Sequence, residues 1–543
     1  MSLVLTLLLA AGAPLPGAAA DRSSALESIR PAALRAHLRF LADDLLEGRG
    51  TASRGHEIAA RYVAAQFEAM GLEPAGTGAT FLQTVPLRQA VLLPEASSLS
   101  LFRDGRAQEL RAGRDYVLAP DLLREESGFD APVVYVGFGV VAPERRHDDY
   151  AGLDVRGKVV ALLSGAPAQF PNDQRAYYSS RRLKAETAAE RGAVGLLVIL
   201  PPEEEKRFPF ARIAEMLQSG LMDWLDGQGN PADALPGLRG SAVLSREGAE
   251  ALFMGAPRTL DQAFADAAAG KVGSFALPVS VPGRTRSRHA ATASPNVLAL
   301  LRGSDPALAK EYVVLSAHLD HLGMGAARDG DAIYNGALDN ASGTSALIEI
   351  GRAFASRPIP PRRSILFAAV TGEEKGLLGA EYFAHNPTVP ASGIVANLNM
   401  DMFLSLYPAL DVIAFGAEHS SLGALAQEMA GRLGLTVGPD PFPEEVVFIR
   451  SDHYAFVRKG IPSLMLSAGL KSADPQVDGP KTFGRWLATV YHSPKDDASQ
   501  PIDFDSAAKV ARLYFLMADK VATDPARPAW NPGDFFGAKF GRS

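Results

Sequence analysis

Between Ser53 and Gly71 apolar residues recur at Ile58, Tyr62, Val63, Phe67 and Met70. That is the spacing of one helix face, and Gly71 is placed to end the helix. The spacing predicts an amphipathic helix packed on something larger. From about Arg114 to Ala290 the pattern breaks into short strand-like runs (Val133 to Val136, Lys158 to Leu163, Gly195 to Leu200) separated by loops rich in Gly, Pro and Arg. This stretch reads as an inserted domain. After Asn296 apolar strands alternate with helices. Tyr312 to Ala317, Ile365 to Val370, Ile394 to Leu398 and Ser463 to Ser467 are predicted as buried strands, Ser342 to Ala355 and Ala507 to Val521 as helices. The alternation predicts an α/β domain with a largely parallel sheet. Ligands of such sheets bind beyond the carboxyl ends of the strands, which directs attention to the polar residues following each one.

A chain of 543 residues is too long for one compact core, so two or three domains are expected. The net charge of -7 leaves no basic excess to displace counterions from phosphates, which excludes nucleic acid as an expected partner. The absence of cysteine excludes disulfides and thiolate zinc sites, so any metal must be held by His, Asp and Glu. The first twenty residues carry no charge, and an apolar run from Leu3 to Ala11 leads into small residues ending at Ala18, Ala19 and Ala20. They resemble a signal peptide cleaved before Asp21, which implies a secreted or periplasmic protein. No later segment reaches the ~20 uninterrupted apolar residues of a spanning helix, so no stable membrane insertion is expected. Residues 524–543, rich in Pro, Gly and Phe, are expected to form an extended tail.

Each predicted strand end carries groups with an ordinary reading and a chemical one. His318, Asp320 and His321 follow the strand ending at Ala317. A lone strand-end histidine is commonly a satisfied structural residue, yet imidazole is also a good zinc ligand, and a carboxylate two residues on can orient it. Asp339, in GALDNASG before a helix, reads as an N-cap or as a carboxylate bridging two cations. Glu373 and Glu374 suit the first turn of a helix near Leu377, or a division of labour in which Glu374 binds metal and Glu373 is a general base. Asp401 follows an apolar strand and needs a partner, because an unpaired buried charge is costly. Tyr491 and His492 lie in a polar loop. Taken together, the two histidines and three carboxylates at successive strand ends suit a pair of Zn2+ ions roughly 3.5–4 Å apart.

These pieces, in this order, resemble the co-catalytic zinc aminopeptidases of metallopeptidase family 28. The matching segments are AHLDHLG from Ala317, YNGALDNASG from Tyr334, TGEEKGLLGA from Thr371, NLNMDM from Asn397, SDHYAF from Ser451 and YHSPKDD from Tyr491. LEGRGTASRG from Leu46 resembles the family's N-terminal segment, and DYAGLDVRGKVVALLSG from Asp149 resembles its inserted protease-associated domain. The resemblance implies a three-layer α/β zinc-peptidase domain with a mostly parallel central sheet, spanning residues 21–113 and 291–523, and a β-rich insert at residues 114–290. It also implies two Zn2+ per chain and a peptide substrate. His318 and Asp401 would hold one zinc, Glu374 and His492 the other, and Asp339 would bridge them. Glu373 would be the base, Asp320 the partner of His318, and Tyr491 the phenol that stabilises the oxyanion. Asp452 and His453 receive no role. N-terminal hydrolysis is the expected activity. A carboxypeptidase, a one-zinc acyltransferase like the glutaminyl cyclases and a metal-free binding protein are the alternatives, and the chain is expected to act as a monomer or homodimer.

Overall fold

The computed structural model describes residues 23–542 apart from positions 272 and 404; the expected signal peptide lies outside the described residues. A single strand, Phe275–Leu301, runs through both halves of the molecule. Its first part pairs with Ser98–Arg103 and Glu126–Tyr135. Its second part pairs with Leu82–Leu92 and Ser364–Val370.

The second part belongs to the main sheet. Ser364–Val370, Tyr312–His318, Ile394–Met400 and Ser463–Ala468 follow one another there in parallel. All four are buried along their whole length, as near-continuous apolar runs must be when helices cover both faces. On one face Val313, Leu315 and Phe367 pack with Val63 and Phe67 of helix Arg54–Ala69, Leu347 and Ile350 of Ser342–Ala355, and Phe515 of Phe504–Thr523. On the other, Val314, Leu366 and Ala368 meet Phe383 of Leu378–His385 and Phe456 of His453–Val457. The result is the expected three-layer α/β arrangement. Ser53 caps the first helix by accepting a hydrogen bond from His56 N, and Gly71 just beyond it has φ 76°.

The insert has its own sheet, in which Glu126–Tyr135, Val159–Leu163, Gly195–Ile199 and Ser241–Leu244 run parallel. Helices pack on both of its faces, among them Phe210–Gln218 and Leu260–Ala268. Strands Ser98–Arg103 and Arg106–Glu109 pair with this sheet although they precede Arg114. Nothing in the pattern marks a boundary at either end. The polar alternation of Ser98–Arg103 suits either sheet, and the strand across Ala290 continues unbroken while its neighbours change.

The expected extended tail is not what the described residues 524–542 form. They end in a short helix, Phe535–Phe540, whose Phe536 is fully buried against Phe448 and His419. Trp530 donates to Gly460 O, and His419 contacts Asp534 at 2.7 Å. Phe535 packs edge-on against Tyr177 of the insert, 5.5 Å away, so this segment ties the two halves together. No helix among the described residues is long and apolar enough to cross a membrane.

Candidate metal centre

The carboxyl ends of the central strands bring the predicted residues together. His318 ends its strand almost fully buried, with Nε2 3.2 Å from Asp339 Oδ1 and 3.3 Å from Asp401 Oδ1. His492 arrives from a loop on the far side, in a left-handed backbone conformation, φ 54°. Its Nε2 lies 3.1 Å from Asp339 Oδ2 and 3.3 Å from Glu374 Oε2. Asp339 therefore turns one oxygen to each histidine. Donor atoms of His318, Glu373 and Asp401 converge in one group, those of His321, Asp339 and Glu374 in a second.

Local structure explains why these carboxylates are free to act. The capping duty falls on Asn340, whose Oδ1 accepts from Gly343 N at 2.8 Å, and not on Asp339. Glu373 and Glu374 lie in a separate turn, Glu373–Lys375, ahead of the helix that starts at Leu378, so they do not serve its dipole. Asp320 departs from its expected part. His318 Nδ1 meets the Asp320 backbone oxygen at 3.0 Å, whereas the carboxylate is 3.9 Å away. That carboxylate instead accepts from Thr51 Oγ1 at 2.8 Å and from Glu373 N at 3.1 Å, linking the strand end to the Glu373 turn.

Other contributors escaped the sequence reading. His321, in the same AHLDHLG motif, is fully buried with Nδ1 2.7 Å from Glu374 Oε1. Asp496 accepts from Leu338 N and Asp339 N at 2.9 and 3.1 Å and so fixes the Asp339 loop. Arg49 is fully buried and donates to the carbonyls of Leu319 (3.0 Å), Asn335 (2.6 Å), Gly336 (2.9 Å) and Leu41, joining the His318 strand end to the Asp339 loop. In SDHYAF the residue that reaches the centre is Ser451, donating to Asp401 Oδ2 at 2.6 Å and accepting from Asn399 Nδ2 at 2.8 Å. Asp452 is fully buried, its carboxylate oxygens have no hydrogen-bond partner among the described residues, and burial pushes its carboxyl up to about 8. These residues carried no signal beyond their place inside the motifs.

Burial and the neighbouring charges oppose each other across the centre. Burial pushes Glu373 well above the usual carboxylate range, with Asp401 and Glu374 adding to it and His318 opposing. Burial also raises Glu374, but His492 and His321 outweigh it and hold the group well below that range. Burial disfavours the His492 cation, yet Glu374 and Asp339 lift it to about 9. The 2.7 Å approach of His321 Nδ1 to Glu374 Oε1 is not a directed hydrogen bond, and both atoms lack a hydrogen-bond partner among the described residues. Buried polar atoms without partners are rare, and imidazole and carboxylate donors converging without hydrogen-bond geometry suit divalent metal of the zinc type.

Fold and site thus define an α/β domain with carboxylates and imidazoles gathered into a candidate metal centre near the ends of its parallel strands. Residues 296–518 match the model of Peptidase family M28. A probable zinc metalloprotease of Leptosphaeria maculans is 36% identical over 264 residues, covering 43% of this chain and 58% of that protein. One of Pyricularia oryzae is 28% identical over 285 residues, 46% of this chain and 55% of that protein. The chain thus spans little more than half the length of these curated relatives. Its fold is similar to that of the aminopeptidase from Aneurinibacillus sp. strain AM-1, with a TM-score of 0.53 and 18% identity over 93% of this chain and 97% of that one.

Proposed function

We propose that the protein is a two-zinc exopeptidase that removes amino acids from the N-termini of peptides. The observation that carries this reading is the convergence of His318, Asp401, Asp339, Glu374 and His492 with the Asp339 oxygens divided between the two histidines. His318 and Asp401 would hold one ion, Glu374 and His492 the other, with Asp339 shared; His321 stands beside Glu374 as a further donor. Zinc bound there polarises a carbonyl oxygen and acidifies a water molecule.

The chain's own residues supply the rest. Glu373 accepts a proton from the attacking water and delivers it to the leaving amine, so one buried carboxyl serves as base and then as acid. Tyr491 lines the cleft stacked on His492, ring centroids 3.8 Å apart. Burial, with Asp339, raises its phenol well above its ordinary pKa, so it stays protonated and donates to the oxyanion that develops on the carbonyl oxygen. Asp320 and Asp496 position by holding backbone. Cleavage at the N-terminus, rather than the C-terminus, rests on the resemblance of the six motifs to exported bacterial aminopeptidases.

The test is release of free amino acid from amino-blocked and unblocked peptides, with and without chelator, beside Glu373→Gln. Chelator-sensitive cleavage of unblocked peptides alone, abolished in a variant that still holds two zinc ions, is the expected result. Cleavage of blocked peptides from their C-termini would change the substrate class. A variant that loses one zinc would make Glu373 a ligand, and a protein that binds one zinc and cyclises N-terminal glutamine would be an acyltransferase.

A further inference from the structure

The insert is part of the active cleft. Its helix Phe210–Gln218 brings Arg212 Nη2 to within 3.2 Å of His492 Nδ1. A cavity of about 1200 Å3 extends from Glu374, Tyr491 and His492 to the insert helices Asn172–Ser179, Arg181–Glu190 and Leu260–Ala268. A peptide whose first residue lies at the metal centre has this cavity as the space for its remaining residues.

The charges lining that space are unbalanced. Arg207 pairs with Glu204 and Glu445, and Arg450 pairs with Glu445. Arg175, Arg181 and Arg212 of the insert, with Arg328 and Lys375, line the cavity without a carboxylate in direct ion-pair contact among the described residues, although Glu204 acts on Arg181 from a greater distance. Outside the donor clusters, the lining acids in the same position are Glu215 and Glu444. A protein of net charge -7 thus keeps unpaired cations in a concave wall, where field lines concentrate and anions are drawn in. Guanidinium groups match carboxylates through paired N–H donors.

We propose that this wall selects peptides carrying carboxylates beyond the scissile bond, with Arg175 and Arg181 as specificity-determining residues. The proposal rests on the peptidase reading above and extends it to a substrate class. The carboxylate has two possible sources, acidic side chains or a free C-terminus.

The experiment compares kcat/KM for Leu-Gly-Glu-Glu and Leu-Gly-Gln-Gln, each as free acid and as C-terminal amide, at low and high salt, in the wild type and in Arg175→Gln/Arg181→Gln. The expected preference is about tenfold per carboxylate engaged, carried mainly by KM and lost as salt shortens the Debye length from ~30 to ~3 Å. In the double variant the ratio between acidic and neutral peptides collapses toward one. A preference that follows the Glu pair assigns side-chain carboxylates; one that follows the free acid assigns the C-terminus. Equal rates for all four peptides, or a ratio the variant does not move, would overturn the proposal. Calorimetric binding of acetyl-Leu-Gly-Glu-Glu to both proteins decides it independently of turnover: weaker binding by the variant supports it, equal binding overturns it. If no peptide is cleaved yet this difference in binding stands, the peptidase reading fails and the anion-selective cleft survives.

Discussion

Arg49 shows how much one residue organises. Its guanidinium holds carbonyls from the segment ahead of it, from the His318 strand end and from the Asp339 loop. Burial lowers its pKa only to about 10, so it stays charged. Arg49→Met leaves those carbonyls buried without donors, at about 1–3 kcal/mol each. We expect a lower Tm and reduced zinc content by metal analysis, with only partial recovery in Arg49→Lys, since an ammonium is a point donor without the planar fork. Wild-type zinc and Tm in the Met variant would refute this. Asp339→Asn removes the charge facing both histidines, and metal content should fall for both ions together. Asp223 offers a separate test. It is 2% exposed, and burial lifts its pKa from 3.8 to about 7. A raised folded-state pKa means that ionisation opposes folding, so its cost begins above the ordinary value and is complete above about 7. Asp223→Asn should raise Tm at pH 8 relative to the wild type and leave it nearly unchanged at pH 4.

At the scale of elements, the tight turn into the Asp339 loop depends on Gly336. Its φ is 62°, and a Cβ there would sit 2.1 Å from Asp339 O and 2.5 Å from His321 Cγ. Gly336→Ala cannot be absorbed without moving both donors, so zinc should be lost while circular dichroism stays close to wild type. The closing helix Phe535–Phe540 makes the opposite prediction. Phe536 packs in an aromatic cluster with Phe448 and Tyr454 that includes none of the metal donors. Phe536→Ala should cost about 3–5 kcal/mol, seen as a lower midpoint in urea unfolding, with zinc content retained in the folded protein.

For the whole molecule, a centre crowded with carboxylates makes stability depend on metal. Saturating zinc at 100–1,000 times its dissociation constant adds about 3–4 kcal/mol, so chelation should lower Tm and zinc should restore it; a Tm indifferent to chelator would argue against a resident metal. Much of this molecule is legible in its sequence. Apolar runs such as Tyr312 to Ala317 and the helix face from Ile58 to Met70 are local patterns, and burial follows directly from them. The motifs also name His318, Glu374 and Asp401, which follow parallel strands and so emerge at one edge of the sheet, and Asp339 and His492, which reach that edge from loops. Tertiary structure alone decided what depends on direction and on distant neighbours. It gave the cap to Asn340 and so freed Asp339, turned the Asp320 carboxylate to Thr51 and the Glu373 turn, set His321 against Glu374, and made Arg49 a clasp between segments nearly 290 residues apart. It also closed the C-terminal segment onto the insert and swung Arg212 over His492. Periodicity records which side of an element is buried, whereas a side chain's partner is fixed only when separate elements pack and its polar atoms must find donors or acceptors there.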